Sequence, residues 1–178
     1  YMLTISTLLG MYVMMSAGSF LMFFLGLETA SVPLACMVAL DKMRKDSAEA
    51  AAKFILTATF SSGVMLYGMS LLYGAVGTLY FTEFSLLLSV TPMTICGMVF
   101  FVAGLGFKIS LVPFHFWTAD TYQEAPTTVT GYLRAISKGA PCFTLHVILL
   151  KVFSPMTEHS KGQMYILIVL RITVANPN

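Results

Sequence analysis

Residues 19–40, 48–73, 92–117 and 127–152 form four apolar stretches, each long enough to cross a bilayer as a helix. A shorter stretch occupies 1–16 and another begins at 163–172. Hydrocarbon offers no water to backbone N–H and C=O groups, so a chain of this kind satisfies them within its own helices. At 57% hydrophobic residues and 10% charged, with a mean hydropathy of +0.83, the chain is also more apolar than a soluble domain needs to be. The expected fold class is an all-α membrane protein, a multi-span helical bundle.

Several function classes drop out at once. The net charge is only +2, and no basic patch is interleaved with aromatics, so nucleic-acid binding has no support. Cys36, Cys96 and Cys142 are far apart in apolar segments, which speaks against zinc, an iron–sulfur cluster or a disulfide framework and leaves them as filler between packed helices. The "GLG" at 104–106 lies inside an apolar span, where it makes a poor phosphate loop. The opening "YMLTISTLLGMYVMM" has neither a charged leader nor a small-residue cleavage site, and in "MYILIVLRITVANPN" the apolar run before Arg171 is too short to cross a membrane. Both ends read as cut from something longer.

The breaks between the stretches suggest an orientation. "SAGS" is a tight turn between antiparallel helices, and "DKMRKDSAE" gathers Lys42, Arg44 and Lys45. Asp46 and Glu49 then stand at capping-box spacing, so a helix is expected from about Ser47. Basic loops stay on the cytoplasmic side, or the matrix side of a mitochondrion, which sends 19–40 inward and 48–73 back out. The following loop, 74–91, carries Glu83 and no Lys or Arg, as an outer loop should. Asp120 and Glu124 in the next loop, and Lys151 and Lys161 after it, fit less well.

Four ionisable residues inside the spans are the functional candidates: Glu28, Lys53, Lys108 and Lys138. A charge at mid-bilayer costs about 2.5–3.5 kcal/mol on insertion scales, so several together call for a use. Glu28 is the one charge in 19–40 and shares a helix face with Ser31 and Ala35. Its bland reading is a structural hydrogen bond between helices. Lys138 lies too deep to reach either surface, with Thr127, Gly131, Arg134 and Ala135 on its face and Pro141 weakening the ladder nearby. Arg134 reads equally well as a snorkelling side chain.

Lys108 shares its face with Gly104 and Gly97 and therefore points at a neighbouring helix, although a lysine snorkelling from a helix end is the alternative. Pro113 should interrupt the helix just beyond it, and an interrupted helix survives in a membrane only where protein or water lines it. His115, past the break, is a candidate proton relay or a partner for a freed carbonyl. Lys53 pairs most simply with Glu49 in a weak interfacial salt bridge, yet Glu49, Lys53, Thr57 and Ser61 also make a polar stripe.

Three lysines and one carboxylate suit reversible protonation. Burial disfavours an ammonium and a nearby carboxylate restores it. At 4 Å and an effective dielectric near 20, the pair is worth about 4 kcal/mol, the scale of work against a membrane potential of about 2.3 kcal/mol per charge per 100 mV.

The blocks "FLGLETASVPLACMVAL", "SAEAAAKFILTATFSSGVMLYGMSLLYGAVGTLY", "GLGFKISLVPFHFWTADTYQEAPTTVTGYL" and "ISKGAPCF" resemble, in order and over most of the chain, the N-type antiporter-like subunits of NADH:quinone oxidoreductase, respiratory complex I. The resemblance implies two inverted five-helix repeats, each with a broken helix. It makes 1–152 the first repeat, equivalent to helices four to eight with its first helix incomplete, and 153–178 a loop and the truncated start of the next helix. It further implies that Glu28, Lys53, Lys108 and Lys138 transfer protons, Glu28 modulating Lys108 and Lys138 standing at the centre. Arg134, where a small residue is more usual, and Pro141, close after Lys138, depart from the pattern.

By the same resemblance the chain belongs to an enzyme, a proton-translocating NADH:quinone oxidoreductase, while holding no redox site of its own. NADH, FMN, iron–sulfur clusters and quinone would sit elsewhere in the complex. The implied partners are other membrane-arm subunits, the lipid bilayer and the rest of the same subunit. The implied location is a bacterial inner membrane, with the mitochondrial inner membrane as alternative. Competing readings are a subunit of a sodium/proton antiporter or membrane hydrogenase of related fold, and a structural scaffold with vestigial charges.

Overall fold

The glycines explain how the helices pair. A computed structural model describes residues 1–41, 45–111, 115–156, 161–162 and 165; Lys42, Arg44, Pro113 and most of 163–172 fall outside them. Helix α1, Met2–Met15, turns back through "SAGS" into α2, Phe20–Val38. A methyl group on Gly26 would stand 2.5 Å from the Met14 nitrogen, and one on Gly10 2.5 Å from the Ala30 nitrogen. The two backbones therefore touch, a contact that only residues without a side chain allow. The long helix α3, Lys45–Val76, is joined in the same way to α5, Pro92–Ile109: a methyl on Gly68 would meet the Phe101 nitrogen at 2.5 Å, and Gly104 lies against Met65.

The starts of α2 and α5 follow their capping chemistry. Ser19 accepts from the Met22 N–H, and Thr91 and Thr94 form a reciprocal capping box ahead of α5. The Asp46 side chain expected to cap α3 lies outside what the structure describes. Ser47 instead ties the start of α3 to the end of α2 by donating to the Val38 carbonyl at 2.6 Å.

Between α3 and α5 the sequence suggested a plain loop. It contains a short helix, α4, Phe81–Leu87. Backbone hydrogen bonds from Phe20 to Leu79 and from Phe81 to Gly18 lock this connection to the α1–α2 turn. The two loops thus share one side of the bundle, as the orientation argument requires. Phe20 sits beneath them with Phe81, Phe84 and Phe101 edge-on at 5.0–5.4 Å.

The 92–117 stretch is interrupted, and earlier than Pro113 alone would suggest. Helix α5 ends at Ser110, which adopts the left-handed conformation (φ 60°, ψ 45°), unusual for a residue with a side chain. Helix α6, Phe116–Glu124, resumes the chain and leads into α7, Thr127–Lys151. Pro141 lies inside α7 without ending it. A 3-10 turn, Ser154–Met156, follows. Four helices, α2, α3, α5 and α7, are long and apolar enough to cross a membrane, so the chain is a multi-pass membrane protein, all-helical among the described residues. The cysteines are a correction: all three are free and exposed on outward faces rather than packed between helices.

Candidate functional site

The site forms where α2, α3 and α5 meet. Glu28 and Ser31 are three residues apart on α2 and so lie on one face, as the periodicity anticipates. Gly104, one turn before Lys108, lets α5 approach α3 closely, and the lysine reaches across to α2. Lys108 Nζ lies 3.5 Å from Glu28 Oε1 and donates to Ser31 Oγ at 2.9 Å. The Lys108 side chain is 11% exposed and that of Glu28 33%, which makes this an interhelical ion pair largely removed from the surface.

Hydroxyls complete it. Ser31 donates its own proton to the Leu27 carbonyl at 2.5 Å, which leaves its oxygen lone pairs for Lys108. Ser62, on α3, is within reach of two acceptors: Glu28 Oε1 and its own helix's Ala58 carbonyl, the latter at 2.9 Å. Its single proton serves one or the other. Ser61 donates to the Gly104 carbonyl at 2.7 Å and pins α3 to α5 one turn from the lysine.

Beside the pair is a cavity of about 50 Å³ lined by Ser31, Thr57, Ser61, Lys108, Trp117 and Ser137, among others. A water needs roughly 10–15 Å³ by this measure and two or more polar partners, so there is room for a few. Thr57 and Ser61 are the inner half of the polar stripe on α3. The outer half is the Lys53–Glu49 pair at 2.9 Å, with side chains 37% and 63% exposed. The bland reading of Lys53 thus describes its contact, while the stripe that begins there runs to the cavity wall.

Lys138 and Arg134, four residues apart on α7, face α6. Lys138 Nζ stands 5.0 Å from the Tyr122 ring centroid and 6.0 Å from that of Trp117, and Arg134 lies 5.0 Å over Tyr122. These are cation–π contacts, stronger away from water than in it. Burial pushes the Tyr122 phenol up to about 12, opposed by the nearby Arg134 charge. Trp117 also donates from Nε1 to the Phe107 carbonyl at 3.1 Å, at the end of α5. His115 occupies the N-cap position of α6 and is half-buried.

The structure therefore joins Glu28 to Lys108 directly, places Lys138 against the aromatic rings of α6, and leaves Lys53 with Glu49 toward the surface. Sequence reasoning missed Ser62, Trp117 and Tyr122. Ser62 is next to the polar stripe but one position off its face, and Trp117 could have been noticed as the one tryptophan of the chain.

Residues 17–176 match the family described as NADH:quinone oxidoreductase/Mrp antiporter, transmembrane. The chain is 62% identical over 176 residues to NADH-quinone oxidoreductase subunit N of Phocaeicola vulgatus, covering 99% of this chain and 37% of that protein. It is 56% identical over 153 residues to the subunit of the same name in Azobacteroides pseudotrichonymphae, covering 86% and 32%. Among solved structures, a chain of respiratory complex I from Thermus thermophilus with bound aureothin superposes with a TM-score of 0.73 at 34% identity, over 85% of this chain and 33% of that one. The chain thus spans about a third of the length of the relatives it matches.

Proposed function

The chain belongs to the NADH:quinone oxidoreductase/Mrp antiporter transmembrane family, and from that membership we propose that it forms part of an N-type membrane-arm subunit that moves protons across the membrane as electrons pass from NADH to quinone. In this reading the protein is a subunit of a translocating oxidoreductase in a bacterial inner membrane. NADH, FMN, iron–sulfur clusters and quinone are handled by other subunits. Residues 1–152 serve as the first antiporter-like repeat, and 153–178 lead into the next helix.

The observation that carries the proposal is the Glu28–Lys108 pair, an acid and a base 3.5 Å apart on different helices in an apolar bundle. When the carboxylate is close, the ammonium is stabilised; when α2 and α5 shift apart, that stabilisation falls and the proton leaves for the adjacent cavity. The stripe from Lys53 through Thr57 and Ser61 supplies an approach to the cavity, and His115 stands beside the break as a relay. Lys138 receives the proton on the far side.

The test is NADH-driven acidification of sealed inverted vesicles carrying the assembled complex. Lys108→Met and Lys138→Met should each abolish most of the acidification. Full pumping by both variants would refute the proposal, and sodium-dependent transport without NADH would transfer the chain to the antiporter side of its family.

A further inference from the structure

Trp117 touches three of the segments that carry lysines. Its Nε1–H donates to the carbonyl of Phe107, the residue before Lys108, at 3.1 Å. Its ring meets that of Phe54, the residue after Lys53, edge-on at 5.4 Å. The same ring lies 6.0 Å from Lys138 Nζ, with Tyr122 at 5.0 Å forming the rest of an aromatic seat for the ammonium.

The cavity gives this placement its meaning. Lys108, Trp117 and Ser137 are in its wall; Lys138, the residue after Ser137, is not. The indole thus borders the water-sized space beside Lys108 and also lies within 6.0 Å of the charged end of Lys138. A chain of waters running from that space to Lys138 along this wall passes the ring.

Building on the proton-transfer reading above, we infer that Trp117 is a gate between Lys108 and Lys138, held shut by the charge on Lys138. The attraction of a ring face for an ammonium disappears when the amine is neutral. With Lys138 protonated, the indole is drawn over it, and the proton has no return to the cavity. Once Lys138 has passed its proton on, that attraction is gone and the ring keeps the Phe107 carbonyl, the Phe54 edge contact and its apolar packing. That carbonyl is in the last turn of α5, where the chain turns through the left-handed Ser110, so a shift of the helix end releases the indole. Water then bridges the lysines. One N–H bond at the Lys108 ammonium breaks, one forms at the Lys138 amine, water carries the proton between them, and no electrons change hands.

The experiment compares the assembled complex in sealed vesicles with Trp117→Ala and Trp117→Phe, each with and without Lys138→Met. The readouts are passive proton leak under an imposed potential and protons moved per NADH oxidised. Trp117→Ala should raise the leak by roughly 2- to 30-fold, the span of a cation–π contact at tenfold per 1.4 kcal/mol, and lower the ratio. Trp117→Phe, which keeps a ring face but loses the N–H, should fall between it and the native protein. Neither substitution should add leak when Lys138 is already methionine, because the path then has no acceptor. If Trp117→Ala does not assemble, Trp117→Phe with and without Lys138→Met makes the same comparison.

Native leak and ratio in the Trp117 variants would overturn the gate. So would an equal rise in leak with and without Lys138, which marks a packing role alone. Undiminished pumping by Lys138→Met alone would instead sink the underlying proton-transfer reading, however the Trp117 variants behave.

Discussion

Glu28→Gln isolates the charge of the central pair. The amide keeps the size of the carboxylate and can still accept from Ser62 and Lys108, so only the ionic attraction is lost. At 3.5 Å and an effective dielectric near 20, that attraction is about 5 kcal/mol. A third of the Glu28 side chain is exposed, so screening makes this an upper figure. Set against about 2.3 kcal/mol per charge per 100 mV, it corresponds to a counter-potential of up to roughly 200 mV. Glu28→Asp withdraws the carboxylate by about 1.5 Å and removes about 1.4 kcal/mol of that attraction, a loss equivalent to roughly 60 mV. The assay is NADH-driven acidification of inverted vesicles followed with a pH-sensitive dye while potassium and valinomycin clamp the membrane potential. The potential at which pumping stalls should fall in the order Glu, Asp, Gln. A glutamine variant that pumps against the same potential as the native protein would refute the electrostatic account, as would an aspartate variant that stalls before it.

Three further outcomes follow from the same geometry. Gly26→Ala places a methyl 2.5 Å from the Met14 backbone and should destabilise the bundle by about 1–3 kcal/mol, seen as a lower melting temperature of the solubilised complex, whereas Gly139→Ala, with nothing within 4 Å, should be neutral or stabilising by up to about 1 kcal/mol. Ser62→Ala removes the hydroxyl that reaches Glu28, a charge-assisted bond worth about 1.5–3 kcal/mol, and should place the stall potential between those of the native protein and Glu28→Gln, with Ser62→Thr restoring it. The Tyr122 phenol, pushed up to about 12, binds its proton more tightly in the folded chain than in the unfolded one; its contribution to stability is complete below about pH 10 and lost as the pH rises through 12, so Tyr122→Phe should flatten the alkaline unfolding curve in that window.

The break between α5 and α6 shows how much was legible before folding. Pro113 announces an interruption, because proline cannot donate to the helix ladder and crowds the preceding turn. Its exact place, a left-handed Ser110 bonded through its hydroxyl to Thr118 at 2.6 Å, depends on a contact made by the returning chain. Glu28 and Ser31 were legible as one face because helical period alone aligns them. Ser62 was not, since its role comes from standing opposite Glu28 on another helix, and the same is true of Trp117, whose contacts with Phe54, Phe107 and Lys138 come from α3, α5 and α7.

Local spacing and hydropathy are properties of a single segment, and they were enough to mark the spans, their turns and the costly charges within them. Which helix faces which is a different matter. In hydrocarbon, one apolar face is as good as another, so no hydrophobic force selects partners. Selection falls to backbone contact at Gly10, Gly26, Gly68 and Gly104 and to hydrogen bonds such as Ser61 to Gly104, all of which exist only once two helices meet. That meeting set Lys108 against Glu28, opened a wettable space beside them and put an indole in front of Lys138.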